Sequence, residues 1–500
     1  MELFNGQFFV LTLALIGIVI IIAALLSGLI DRSDLPQVGV FLALGAMLGP
    51  AGLGLLDVTL ESPNLRVVAT LSLVLVLFTD AVSLSIAEFR RHSALAFRVL
   101  GPGTLLSAGL IALAGWWLLE LAPAAAAILG AALASTDPVM LRGFLKRPGL
   151  SPPVRLALRL ESGLNDAVLL PVVLVAMPFL ARGEALESIE WARIALDLFL
   201  LGPGAGIAVG LLAVAALEMI RRKTGVRRDY ESLYSLGVAF TAYGAAEAVH
   251  GSGFLAAFAA GMTIAALDVE LCDCFVEYGQ TTAEMALLFT FVLFGTSLIW
   301  KGFTVFSLPV LWFAIIVLLV RPIAFLLSLT GTSLDHQSRL LIAWFGPRGL
   351  SSLLLILVPV FAGAPDTELL FFVCCFVVVL SVVLHGGSLM LLGSGRTAYS
   401  PATLEDASDG RDGANPPDQL VTLDSSRRDD RPGELITIGE LRELQQAGAP
   451  VLLFDARAER SFANSDLLAQ GALRVDPDRA VERLKELDVP LGTWIVVFCA

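Results

Sequence analysis

Long apolar runs recur from Phe8 to Leu392, and no other feature of this chain limits its fold so tightly. A helix needs about 20 apolar residues to cross the hydrocarbon core of a bilayer. On that measure the sequence predicts an all-α polytopic membrane protein with about 13 transmembrane helices. The spans fall at 8–30, 36–56, 66–86, 95–119, 124–145, 153–181, 193–220, 229–249, 252–267, 284–300, 304–329, 337–361 and 366–392. The first run lacks a basic flank and an obvious cleavage site before Ser33, so it reads as a span and not as a signal peptide. Composition agrees. The chain is 56% hydrophobic and only 16% charged, against about a quarter charged for a soluble domain. A single water-soluble globule, a disordered chain and a disulfide scaffold are excluded. The net charge of −13 gives no support for nucleic-acid binding.

Charge divides the chain. Residues 397–500 carry 19 acids and 11 bases, and the break near Gly395-Arg396 separates an apolar body, 1–395, from a polar tail. Within the body the bases cluster in alternate loops. Arg142, Lys146, Arg147, Arg155 and Arg159 lie between the fifth and sixth spans. Arg221, Arg222, Lys223, Arg227 and Arg228 follow the seventh, and Arg90, Arg91 and Arg98 follow the third. The opposite set of loops holds only Arg66, Arg182, Arg193 and Lys301. The positive-inside rule then puts the C-terminus in the cytoplasm and the N-terminus outside an inner or plasma membrane.

An ionisable side chain at the bilayer centre costs about 2.5–3.5 kcal/mol on insertion scales, which makes it a functional candidate. Three places stand out. Ala134-Ser135-Thr136-Asp137-Pro138 interrupts the fifth span with a proline and a helix-capping pair, so the helix is expected to stop and restart in mid-membrane. The competing reading is a simple proline kink. Glu161-Ser162-Gly163-Leu164-Asn165-Asp166 places two carboxylates, an amide and a hydroxyl on one broad helix face, a set of hard oxygen ligands for a monovalent cation. A Ser/Asn packing seam explains the small polar residues there but not the two acids. Gly346-Pro347-Arg348-Gly349 breaks the twelfth span and brings a guanidinium into the hydrocarbon, with Glu161 as its expected carboxylate partner. The competing reading is an arginine snorkelling at a span end.

The two interrupted spans are seven apart, which reverses their direction across the membrane. Interrupted helices at corresponding places are the sequence pointer to an inverted-repeat transporter. Asp137 and Arg348 are then expected to offset the partial charges of the crossed helix ends.

These segments resemble the monovalent cation–proton antiporter family, on its sodium/proton exchanger branch, over residues 8–392. The resemblance rests on Thr136-Asp137-Pro138, on the Glu161–Asp166 run, and on Gly346-Pro347-Arg348-Gly349, which has Pro where the family has Leu. It extends to Ser381-Val382-Val383-Leu384-His385-Gly386, with His where the family has Gln. The resemblance implies a homodimer that exchanges sodium, or lithium or potassium, for protons. Asp166 would be the shared carboxylate, completed by Glu161, Ser162 and the main-chain carbonyl of Thr136. Asp137 and Arg348 would be structural charges of the crossing. Asn165, in place of a second acid, implies one-for-one electroneutral exchange. No cofactor is expected beyond the transported ions. The rival readings are a potassium/proton antiporter and a membrane-anchored sulfurtransferase or redox sensor.

In the tail, residues 396–433 are rich in Asp, Ser, Pro and Gly and read as a flexible linker. Strands are expected at 451–454 and 494–498, both buried, with helices at 435–446 and 481–487. Asp455-Ala456-Arg457-Ala458-Glu459, and Cys499 just after a strand, are similar to the first part of a rhodanese-like domain. A small, partial cytoplasmic α/β domain over 434–500 is therefore expected, with Cys499 as its candidate thiol. Cys272, Cys274, Cys374 and Cys375 lack a metal-ligand pattern with His and read as structural.

Overall fold

The computed structural model describes residues 37–393 except 85, 146–149, 183–187, 224–227, 268–272 and 333. It also describes a few positions within 17–25 and, in the tail, 441, 444, 449–456, 471–475, 487 and 493–498. The chain divides into two units, Met1–Ser400 and Pro401–Ala500.

The regular elements described in the first unit are all helices. Its main helices are α1 (Gln37–Leu48), α2 (Pro63–Val82), α3 (Thr104–Leu118), α4 (Pro123–Ala134), α5 (Pro138–Leu145), α6 (Pro152–Arg182) and α7 (Gly202–Lys223). They continue with α8 (Arg228–Ala248), α9 (Gly253–Ala266), α10 (Asp273–Leu293), α11 (Leu308–Ser328), α12 (His336–Trp344), α13 (Leu350–Phe361) and α14 (Thr367–Gly393). Prolines open α2 and α4, where the missing N–H costs nothing. Ser307 caps α11 by accepting from the Val310 N–H at 3.4 Å. Among the described residues, eight helices are long and apolar enough to cross a membrane. They fall where the sequence places spans, from Pro63–Val82 to Thr367–Ser388. The run at 8–30 lies almost wholly outside the described residues. The segments at 36–56, 252–267 and 337–361 contain shorter apolar helices, the last of them in part as α13.

Small residues set the closest helix contacts, as expected where no water drives association. Gly202, Gly206 and Gly210 form one stripe of α7 against α9. A Cβ added at Gly206 would lie 2.1 Å from the Ala256 carbonyl oxygen. The segments at Val99–Gly103 and Leu196–Leu201 are π-helical, so Gly101-Pro102-Gly103 is a local helix adjustment, and Gly202-Pro203-Gly204 begins the α-helix after the other.

The second unit contains β1 (Val451–Asp455), β2 (Leu473–Arg474) and β3 (Trp494–Phe498), in the order β2-β1-β3, with both neighbours parallel to β1. A parallel sheet agrees with an α/β reading of the tail. The expectation of a buried strand at 494–498 is corrected. Among the described strands β3 pairs with β1 alone, at the edge, and Trp494, Ile495 and Val497 are exposed. Almost all of the expected helices at 435–446 and 481–487 lies outside the described residues, as do the 396–433 linker and Cys499.

Candidate functional site

Helix α4 ends at Ala134, and Ser135 is extended (φ −61°, ψ 141°). The restart has a local cause: Pro138 supplies the first position of α5 and disfavours helical geometry at Asp137, the residue before it. Asp137 caps the restart, its Oδ1 accepting from the Val139 N–H at 2.8 Å. The second break mirrors the first. Helix α12 stops at Trp344, α13 restarts at Leu350, and Gly346-Pro347-Arg348-Gly349 lies between them. The two breaks touch, since the Asp137 N–H donates to the Pro347 carbonyl at 3.0 Å.

Four helix ends meet here, and three charged side chains serve them. Asp137 faces two N-termini, because its Oδ2 also accepts from the Leu350 N–H at 2.8 Å. Arg348 Nη1 donates to the Ala134 and Ser135 carbonyls at 2.9 and 3.3 Å, at the C-terminus of α4. Arg321 of α11 does the same for α12, with Nη1 donating to the Ala343 carbonyl and Nη2 to the Phe345 carbonyl at 3.2 Å. Anions at helix N-termini and cations at C-termini are worth up to about 2 kcal/mol each in partly buried settings. The expected offset by Asp137 and Arg348 is therefore present, with Arg321 as a third member.

The expected Arg348–Glu161 pair is corrected. Glu161 Oε2 and Oε1 accept from Arg321 Nη2 at 2.5 Å and Nε at 3.1 Å, and both side chains are buried. A bidentate fork satisfies a carboxylate better than a single contact. Arg348 instead gives Nη1 to two carbonyls while its buried Nη2 has no hydrogen-bond partner, and its main-chain N–H donates to Ser381 Oγ at 2.7 Å. His385, one turn on, sets Nδ1 3.1 Å from the same Ser381 Oγ.

The glycines of the second break make room for these charges. A Cβ at Gly346 would fall 1.9 Å from Arg321 Nε, and one at Gly349 would fall 2.0 Å from Asp137 Oδ2. Gly349→Ala should displace Asp137 from both helix ends and lower stability by about 1–3 kcal/mol or more. Thermal unfolding of the purified protein in detergent checks it; an unchanged midpoint would contradict this geometry.

On α6, the predicted residues separate into groups. Asp166 (4% exposed) accepts from Ser135 Oγ at 2.5 Å, and Ser351 of α13 also interacts with its carboxylate. Asn165 Nδ2 donates to Thr136 Oγ1 at 2.7 Å. Asn165 Oδ1 is left buried with no hydrogen-bond partner. Asp166, Asn165, Ser135 and Thr136 thus gather at the first helix break. Ser162 Oγ turns back to its own helix, 3.5 Å from the Arg159 carbonyl, and lines a neighbouring cavity. Glu161 is committed to Arg321. Sequence reasoning missed Arg321, Ser135 and Ser351. Arg321 carried a usable signal: it is a guanidinium inside the otherwise apolar run 304–329, subject to the same insertion cost that singled out Arg348.

Comparison with known proteins supplies independent findings. Residues 17–394 match the family model described as "Sodium/hydrogen exchanger, transmembrane". The chain is 29% identical over 385 residues to the K(+)/H(+) antiporter NhaP of Alkalimonas amylolytica, covering 76% of this chain and 66% of the relative. It is 28% identical to the K(+)/H(+) antiporter NhaP2 of Shewanella sp. (strain ANA-3), covering 74% and 64%. The match thus spans slightly less than two thirds of these relatives' length. The Na(+)/H(+) antiporter NhaH of Halobacillus dabanensis is 29% identical, covering 57% of this chain and 72% of the relative. The fold is similar to the structure of the sodium proton antiporter MjNhaP1 from Methanocaldococcus jannaschii at pH 8, with a TM-score of 0.64 and 21% identity. That similarity covers 77% of this chain and 100% of the other.

Proposed function

Because the chain belongs to the sodium/hydrogen exchanger family, we propose that it is an antiporter exchanging one monovalent cation for one proton at Asp166. The observation that carries this reading is a buried carboxylate placed beside a broken helix. Ser135 Oγ lies on one side of Asp166, and the partnerless oxygen of Asn165 sits on the next residue. A bare carboxylate out of water costs several kcal/mol, and either a proton or a bound cation removes that cost. The loaded site can change sides in either form, while the empty anion cannot. Competition for one group therefore enforces exchange.

The stoichiometry follows from the same bookkeeping of charge. Asp137 is engaged with two helix N-termini and Glu161 with Arg321, so of these three buried carboxylates Asp166 is the one that exchanges its neutralising partner. One cation replaces one proton and no net charge moves. In this reading the cation's oxygens come from Asp166, Asn165, Ser162 and the Thr136 carbonyl, while Glu161 acts as a structural charge. A site with one carboxylate has a weaker field than one with two, and the ligand number and field strength bear on the choice between sodium and potassium. We therefore include potassium with sodium as a substrate, in line with relatives named for each ion. A homodimer, with basic loops and C-terminus on the cytoplasmic side of an inner or plasma membrane, belongs to the same reading.

The test is a fluorescence pH assay in vesicles carrying the purified protein. Pulses of sodium, lithium and potassium are compared, with and without a potassium ionophore. Sodium and potassium should each collapse the pH gradient, at a rate that clamping the voltage leaves unchanged. A voltage-dependent rate would refute one-for-one exchange, and a silent potassium pulse would restrict the substrate to sodium.

A further inference from the structure

A cavity of about 210 Å³ lies between α2, α6 and α10, and the exchange chemistry leaves most of its lining unassigned. Pro138 and Ser162 line it, so it touches both segments that carry the candidate site. Asp80 of α2 and Arg159 of α6 are the charged residues among its described lining, with Gln280 of α10 on another wall. Their depth is graded. Arg159 is exposed, Asp80 is half-buried and Ser162 is only 5% exposed. Arg159 also spans the gap between helices. Its Nη2 lies 3.4 Å from the Ser83 carbonyl, at the C-terminal end of α2. Asp80 stands beside Gly163, where a Cβ would sit 3.8 Å from its carboxyl carbon. The acid therefore faces the α6 helix one residue past Ser162.

We propose that Arg159 and Asp80 form a charge-balanced filter on the approach to Asp166, the guanidinium holding cations back and the carboxylate drawing them in. A cation moving from water toward Ser162 passes the exposed Arg159 first and the deeper Asp80 second. The two fields oppose each other, and each acts through space without contact with the seated ion. A structural role for Arg159, capping α2 at Ser83, predicts altered stability instead, with no charge-dependent change in cation affinity. The filter rests on the antiport reading above.

The experiment measures the apparent KM for potassium and for sodium in vesicles, at low salt and with 0.5 M choline chloride added, a level of salt that shortens the screening length to about 4 Å. Arg159→Gln should lower KM by about 2- to 6-fold, the effect of one unit charge several Å away in a hydrated cleft. Asp80→Asn should raise it by a similar factor. The double variant should return to within about 2-fold of the parent, and Arg159→Lys should leave KM unchanged. All shifts should shrink in choline chloride. Unchanged KM in both single variants, or shifts that persist at high salt, would overturn the filter. So would complete loss of exchange in Asp80→Asn at saturating cation, which would make Asp80 a ligand. Asp166→Asn, measured alongside, separates the two ideas: exchange surviving in that variant refutes the antiport reading, whereas its loss together with unmoved KM in the filter variants refutes the filter alone.

Discussion

Asp166→Asn should fold, reach the membrane and carry no cation-driven proton flux above that of protein-free vesicles. The substitution keeps the shape of the side chain and leaves an oxygen to accept from Ser135 Oγ, which lies 2.5 Å from Oδ1 in the parent. What it removes is the charge for which proton and cation compete. An amide neither takes up a proton nor needs a cation to be neutral, so the side chain has no alternation to perform. Stability should hold or rise, because a buried ionisable group has been replaced by a neutral one. Vesicle flux measured beside thermal unfolding separates loss of exchange from loss of fold. A variant that still acidifies or alkalinises vesicles on a sodium or potassium pulse would remove Asp166 from the centre of the mechanism.

Arg321→Met carries the largest expected cost in stability. Methionine fills much of the same space, but it strands Glu161, whose two oxygens both accept from Arg321 in a site from which water is excluded. Leaving one member of a buried pair alone typically costs about 3–5 kcal/mol. The Ala343 and Phe345 carbonyls lose their donor as well. The guanidinium also stacks over Phe325 at 4.3 Å from the ring centroid, a contact that methionine only partly replaces. Poor recovery from the membrane, or a sharp fall in unfolding temperature, should follow. Adding Glu161→Gln to Arg321→Met should recover part of the loss by removing the stranded charge. Arg321→Lys should fall between, since an ammonium cannot reproduce the fork. Equal stability of Arg321→Met and the parent would mean that the pair does not hold α6, α11 and α12 together.

The sequence made the helix breaks readable because their causes are local. Proline at 138, with a capping acid before it, favours a stop and restart over a kink, and the structure places one at Ala134–Pro138. The family resemblance grouped Asp166 with Thr136, Glu161 and Ser162; the structure brings the 135–136 and 165–166 segments together, while Ser162 bonds its own helix and Glu161 pairs with Arg321. The partner of Glu161 was not accessible. Two arginines compete for it, and the choice depends on where α11 runs, 160 residues away in the chain. Only in three dimensions does the bare backbone at Gly346 show which guanidinium it admits. The tail behaves the same way: the β-strand pattern of 494–498 is local and was found, but its place at the sheet edge depends on neighbours that the pattern does not encode.

Asp137 binds the restarts of both interrupted helices through its two oxygens. One carboxylate therefore joins the two half-helices, and moving either alone breaks a hydrogen bond to Asp137. In the antiport reading, a movement around Asp166 that keeps both bonds should carry the starts of α5 and α13 together.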